Sequence, residues 1–304
     1  MRIASLLASA TEIVCALGLE DDLVAISHEC DYPPGVTGKP RVSRPRFDPA
    51  ALTSAEIDGA LRAALAAHGT PYALDTEVLR RAAPDVILTQ AVCEVCAVPT
   101  TLAQEAARAL GSRSRVISVD AHTLSGVLGC VESLGRDLGV PERAAALVHA
   151  LEQRLAAVRD AVGATRTPSV LAIEWLAPPF VPGHWVPQMI EAAGGRNLAG
   201  DARRPSRQVT WADLGELDPD VLVVMPCGFD LARARGAADE HARALREIAP
   251  RAIAAGRAFV VDGSAYFNRS GPRVVDGVEI LAALLHPDRV KGIDLSGRAE
   301  VWGR

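Results

Sequence analysis

Two hydrophobic rhythms alternate along the chain. Short β-branched or aliphatic runs, too brief for helices, recur at Ile3 to Leu7, Leu23 to Ser27, Asp85 to Thr89, Arg115 to Val119, Ser169 to Ile173, Val221 to Val224 and Ala258 to Val261. Between most of them lie Ala/Leu/Arg-rich stretches with apolar residues at helical spacing. Strands alternating with helices in this way predict α/β layers around mostly parallel sheets. One segment breaks the rhythm. "VPERAAALVHALEQRLAAVRDAVGA", Val140 to Ala164, opens with Pro141 at a helix start, closes near Gly163 and keeps the helical period throughout without a strand. Lying near mid-chain, it predicts a long linker helix (140–164) joining two α/β lobes, residues 1–139 and 165–304. A helical link resists hinge bending, so little closure is expected when a ligand binds.

Composition bounds the class of protein. The chain has 304 residues, 49% hydrophobic and 23% charged, which suits a globular protein long enough for two domains. Its net charge of -5, with no basic stripe, excludes nucleic acid as an expected partner. The apolar run after Arg2 is interrupted by Ser9, Thr11 and Glu12 and changes from strand-like to helix-like period, so it reads as a first strand and helix rather than a signal peptide. The location expected on this reading is the cytoplasm, and the periplasm or cell surface if the N-terminus has been trimmed. In a reducing compartment the six cysteines (15, 30, 93, 96, 130, 227) are expected as thiols or metal ligands rather than a disulfide frame.

Three features together carry a resemblance: the opening "RIASLLASATEIVCALGLEDDLVAIS", the segments "LRRAAPDVIL" and "LGELDPDVLVV" at matching places in the two halves, and the central helix. In these the chain resembles the substrate-binding proteins of ABC importers for vitamin B12, haem and iron-siderophores, the cobalamin-binding type above all. The resemblance covers nearly the whole chain. It implies two Rossmann-like lobes, a rigid helical backbone and a small-molecule ligand in the cleft between, with an ABC permease as partner. Members that dock on a permease present an acidic residue on each lobe at a fixed offset before the Pro of the PD pair. Glu77 fulfils this ahead of Pro84; the corresponding position ahead of Pro219 is Ala212, with Asp213 beside it.

In open α/β sheets ligands bind beyond the carboxyl ends of the strands. There the chain places His28, Glu29, Cys30 and Asp31; Cys93, Glu94 and Cys96; Glu174, Trp175, Phe180, His184 and Trp185; Cys227 and Phe229; and Tyr266, Phe267 and Asn268. Aromatic residues are only 4% of the sequence, so their concentration in these loops points to a large planar ligand such as a corrin ring or haem. Ser9 at the first strand-to-helix turn, with Trp175, His184, Trp185, Phe229, Tyr266 and Phe267, forms the candidate ligand-binding set. Trp175 and Phe180 fit covering of a lobe core as well as ligand contact, whereas Trp185 and Tyr266, among Gly, Pro and polar neighbours, are expected to be exposed in the cleft. For Ser9 the competing role is helix capping, with Glu12 completing a capping box.

His28, Cys30, Cys93, Cys96 and Cys227 form the candidate metal set, since thiolates and imidazole suit zinc or the centre of a metallo-tetrapyrrole. Their competing reading is inert thiols near a cleft. Cys15 and Cys130 read as small core residues. Arg44 and Arg46 either border the cleft or are solvated loop charges. No phosphate-binding Gly loop, G-x-S-x-G or H-E-x-x-H is present. No catalytic residue is assigned. Three functions remain open: a corrinoid or metallo-tetrapyrrole binding protein, a thiol- and His-dependent enzyme acting on such a ligand, and a zinc or iron-sulfur protein using Cys30, Cys93 and Cys96.

Overall fold

The structure, a computed structural model, describes residues 1–91, 98–109, 114–163 and 166–303. In chain order the first half forms β1 (Ile3–Ser5), α1 (Ala8–Ala16), β2 (Leu23–Ile26), β3 (Ser43–Pro45), α2 (Ser54–His68), β4 (Tyr72–Leu74), α3 (Thr76–Ala82), β5 (Val86–Thr89), α4 (Thr100–Ala109), β6 (Arg115–Ser118) and α5 (Leu124–Asp137). The long helix α6 (Pro141–Val162) follows. The second half forms β7 (Ser169–Ile173), β8 (Trp175–Leu176), β9 (Pro179–Val181), α7 (Val186–Ala192), β10 (Arg196–Asn197), β11 (Arg207–Gln208), α8 (Trp211–Gly215), β12 (Val221–Val224), α9 (Leu231–Glu240), α10 (Ala242–Ile248), α11 (Pro250–Ala254), β13 (Ala258–Val261), α12 (Gly263–Tyr266), α13 (Val274–Leu285) and β14 (Ala299–Val301).

Each apolar run forms a strand in its expected place. The first-half runs pair as a parallel sheet, β2-β1-β5-β6, and the second-half runs as β10-β7-β12-β13-β14, parallel except for the antiparallel edge β14. Strands β5, β7, β12 and β13 are buried along their whole length, which is why they read as unbroken apolar runs. The fold is therefore the expected one, two α/β lobes joined by a single long helix. Pro141 opens α6, where its missing N–H costs nothing.

The packing shows more than two lobes on a rod. One apolar cluster runs from Ile3, Ile13 and Val14, through Val127 and Val131 of α5 and Val148, Leu151 and Val158 of α6, to Val170, Met189, Val278 and Leu281. A second cluster, in the C-terminal lobe, takes in Ile57 of α2, with Phe47, Leu52 and Leu61 packed against it. Residues 47–61 are thus an arm of the first half lying on the second. Arg233 of α9 fastens it by donating to the carbonyls of Pro49 and Leu52. No helix among the described residues is long and apolar enough to cross a membrane.

Candidate functional site

The loops at the carboxyl ends of both sheets meet at the lobe boundary, and most polar contacts between the lobes form there. Glu12 on α1, with its side chain 2% exposed, accepts from Arg273 Nε at 2.9 Å and Nη2 at 2.6 Å and lies 3.4 Å from Arg269 Nη1. Arg269 also donates from Nη2 to Asp31 at 3.0 Å and to the Glu29 carbonyl at 3.2 Å. Ser9 Oγ lies 3.3 Å from Ser270 Oγ. Burial works against both guanidinium charges, yet their carboxylate partners outweigh it and hold them more firmly protonated. This network corrects the capping expectation. Helix α1 is preceded by Leu7 and has no side-chain cap, because Ser9 and Glu12 are engaged by the opposite lobe.

Further along the boundary, His122 follows β6 and His184 follows β9; their ring centroids stand 5.7 Å apart at 43°. His122 was not foreseen as a site residue, although it follows a predicted strand and the strand-end rule reaches it. Asp120, two residues before it, accepts from Ser118 Oγ at 2.7 Å and from the Ala91 N–H at 2.6 Å. Thr123, after it, caps α5, and the Leu124 N–H donates to Gln188 Oε1 of α7 at 2.8 Å. Ser206, which accepts from the Gly183 N–H at 3.2 Å, also donates from Oγ to Glu174, whose two carboxylate oxygens each lie 2.9 Å from it. Burial pushes the Glu174 carboxyl up to about 7, opposed by the Ser206 hydrogen bond.

The raised Glu174 value has a sign that can be worked out. The native chain keeps a proton that the unfolded chain releases near the ordinary value of 4.5. The group's contribution to stability is therefore complete below about pH 4.5 and is lost as the pH rises through 7. Glu174→Gln keeps a side chain that can bond Ser206 without the ionisation. The variant is expected to melt with a flatter pH dependence between pH 5 and 8 and to gain on the order of 2 kcal/mol over wild type at pH 8. Parallel melting curves against pH for the two proteins would exclude this role for Glu174.

The other candidates separate into two groups. Trp175, His184 and Tyr266 are half-buried at the strand ends. Trp185, Phe229 and Phe267, at 8%, 4% and 0% exposure, belong to the core, so the expected cleft exposure of Trp185 is corrected. The physical reason is visible in their partners. Trp185 Nε1 donates to the Phe267 carbonyl at 2.7 Å, and Phe229 lies edge-on to Trp175 at 5.2 Å with Arg233 over its other side at 4.0 Å. These rings seal the loops onto the sheet rather than lining an opening.

The metal set fares similarly. Cys30, 1% exposed, is held by the hydroxyls of Thr11 and Ser27 at 3.0 and 3.2 Å, and burial pushes its thiol up, so it packs as a protonated thiol instead of offering a thiolate. His28 is engaged by Ser43 Oγ at 2.9 Å, the Glu29 carboxylate at 3.2 Å and the Tyr72 ring at 5.0 Å. Cys227 is half-buried, its N–H donating to the Glu174 carbonyl. Cys93 and Cys96 lie outside the described residues. Among the described residues no group of three or more His, Cys, Asp or Glu is placed to hold a metal ion. Cys15 and Cys130, raised to about 12 and about 11 by burial, are inert packing thiols. Arg46 donates to the Tyr72 carbonyl, and Arg44 is exposed on β3.

Comparison with known proteins fits this architecture. The chain is 25% identical over 287 residues to the vitamin B12-binding protein of Vibrio cholerae serotype O1, covering 93% of this chain and 88% of that protein. It is 25% identical over 293 residues to the cobalamin-binding protein of Halobacterium salinarum, covering 94% and 69%. The crystal structure of a periplasmic heme binding protein from Pseudomonas aeruginosa superposes with a TM-score of 0.71 at 25% identity, covering 95% of this chain and 93% of that one. A family model described as periplasmic binding protein matches residues 3–260, from β1 through the long helix into β13. With that span matched, the chain belongs to the periplasmic binding protein family, as a substrate-binding protein of the vitamin B12, haem and iron-siderophore type.

Proposed function

We propose that the chain binds a corrinoid, or a closely related metallo-tetrapyrrole, between its two lobes and delivers it to the permease of an ABC importer. The observation that carries this reading is the convergence of both sheets' strand ends on one boundary. His122 and Asp31 come from one lobe and His184, Trp175 and Tyr266 from the other. A flat ligand with a metal at its centre presents two chemistries at once: a wide apolar face for aromatic and aliphatic walls, and coordination positions above and below the plane. The two relatives matched by sequence over 93% and 94% of this chain are named for vitamin B12 and cobalamin, which supports the corrinoid reading, while the superposed heme binding protein keeps the broader metallo-tetrapyrrole class. For the permease, Glu77 in the first turn of α3 is exposed beside Arg80 and Arg81, and Asp213 in the first turn of α8 stands exposed next to Ala212. Each lobe thus offers an acidic residue at a helix start.

The test is a titration of apo protein with aquocobalamin, haemin and a ferric siderophore, followed by visible spectra. Saturable uptake of one cobalamin per chain with a shifted spectrum and a Kd below about 1 μM, tighter than for the other two, is expected. Preference for the siderophore, or no uptake of either tetrapyrrole, would sink the proposal.

A further inference from the structure

We infer that Asp31 and Tyr32 form a strap that shuts the ligand-free boundary by clasping Arg269 and Arg273 of the opposite lobe, and that a ligand entering there must first displace it. The strap stands on contacts alone; what it excludes rests on the proposed function.

The contacts across the boundary fall into two tiers of unequal burial. In the inner tier Glu12 is nearly inaccessible and is held by Arg273. In the outer tier Arg269 presents both prongs of its guanidinium to Asp31, whose side chain is 61% exposed, and adds bonds to the Glu29 carbonyl and Ser264 Oγ at 3.2 Å each. Tyr32, the next residue, is 44% exposed and packs its ring on Arg273, whose guanidinium carbon lies 4.0 Å from the ring centre. The inner tier is dry and the outer one wet.

The anchoring of the segment makes it a strap. At one end Cys30 is buried against Thr11 and Ser27; at the other Val36 is buried, and its N–H donates to the Pro33 carbonyl at 3.0 Å. Between these anchors residues 31, 32, 34 and 35 are exposed. The segment is thus tethered to its own lobe at both ends and tied to the other lobe by two side chains between them. It can let go while the inner tier keeps the lobes together.

The closed strap also occupies a ring proposed to face the ligand. The guanidinium carbons of Arg273 and Arg298 stand 5.7 and 5.6 Å from the centre of the Tyr266 ring, within cation–π range. Arg273 therefore lies against both Tyr32 and Tyr266, and a planar ligand that uses Tyr266 competes with that stack. A partly exposed ion pair and an exposed cation–π contact each shift an equilibrium by only about two- to fivefold, so the tie favours the closed form without locking it. Burial works against the Asp31 charge, but the Arg269 fork outweighs it and holds the carboxyl below its ordinary range. Salt, which screens the exposed tier and spares the buried one, is the condition that loosens the strap.

The experiment uses the full chain: wild type, Asp31→Asn, Tyr32→Leu and, as control, Glu247→Gln, which breaks a surface pair with Arg243 on α10. The first readout needs no ligand. Amide hydrogen exchange over residues 29–36 and 264–270 is expected to rise about three- to tenfold in wild type between about 0.02 M and 0.5 M salt. In Asp31→Asn and Tyr32→Leu it should already be raised at low salt and respond less, while the control follows wild type. The second readout is rapid mixing with cyanocobalamin, whose lack of net charge leaves the encounter itself indifferent to salt. Association about two- to fivefold faster in both variants at low salt, with dissociation unchanged, is expected. The inference is overturned if exchange in both variants equals that of wild type at low salt, or if wild type takes up cyanocobalamin as fast as the variants do. Exchange that responds as expected in a chain that takes up no cyanocobalamin would leave the strap standing while removing the proposed function.

Discussion

Replacing Glu12 by Gln is expected to lower the stability of the whole chain by about 3 kcal/mol, or roughly 5 °C in melting temperature. The carboxylate is nearly inaccessible and is shared by Arg273 and Arg269, whose side chains are themselves only 14% and 11% exposed. Removing its charge leaves Arg273 without a carboxylate partner and Arg269 with only Asp31. Breaking one side of a buried pair is severe because the surviving charge has already lost its water. Salt should barely alter the loss, since the pair is shielded from the ionic atmosphere. Removing both partners, as in Glu12→Leu with Arg273→Leu, should recover a good part of it, because no unpaired charge then remains at that contact. A Glu12→Gln protein melting within about 1 °C of wild type would show that the contact carries little energy.

Gly183→Ala is expected to be as damaging, by a different route. An added Cβ would stand 2.1 Å from the Arg204 carbonyl oxygen, 2.6 Å from the Pro205 carbonyl carbon and 2.7 Å from the Ser206 nitrogen. All three are backbone atoms and none can swing aside. The turn carrying His184 must separate from the loop that clamps it, losing the hydrogen bonds to Ser206 and Arg204, and a cost of about 3 kcal/mol follows. Cobalamin uptake should fall further than the lost stability explains, since His184 at the lobe boundary moves with the turn. Gly236→Ala is the control. It lies exposed within α9 with nothing near its would-be Cβ, and there alanine should stabilise by roughly 0.5–1 kcal/mol. Equal effects at the two positions would refute the steric account.

Strand positions were legible in the sequence because burial on both faces leaves an unbroken apolar signature. The β7, β12 and β13 runs match to the residue, whereas β1 is shorter than its apolar run because Leu6 and Leu7 turn toward α1. Pairings of two or three residues, such as β8 with β9 in "WLAPPFV", are too short to show a period and were missed. The site was partly legible. The strand-end rule picked out His184, Trp175 and Tyr266, which are half-buried at the strand ends, but it expected Trp185 to be exposed in the cleft. Trp185 and Phe267 are instead folded under by contact with each other, a long-range pairing that local composition does not encode. The same limit hid Glu12: its partners lie more than 250 residues away, so a buried cross-lobe carboxylate looked like a capping residue.

The apolar cluster that runs through α6 has a thermodynamic meaning. Val148, Leu151 and Val158 are covered on one side by residues before the helix and on the other by residues after it, so neither half keeps its interior dry alone. A chain built this way gains or loses order as one unit. Destabilisation at the boundary is therefore expected to reach both sheets through one shared core.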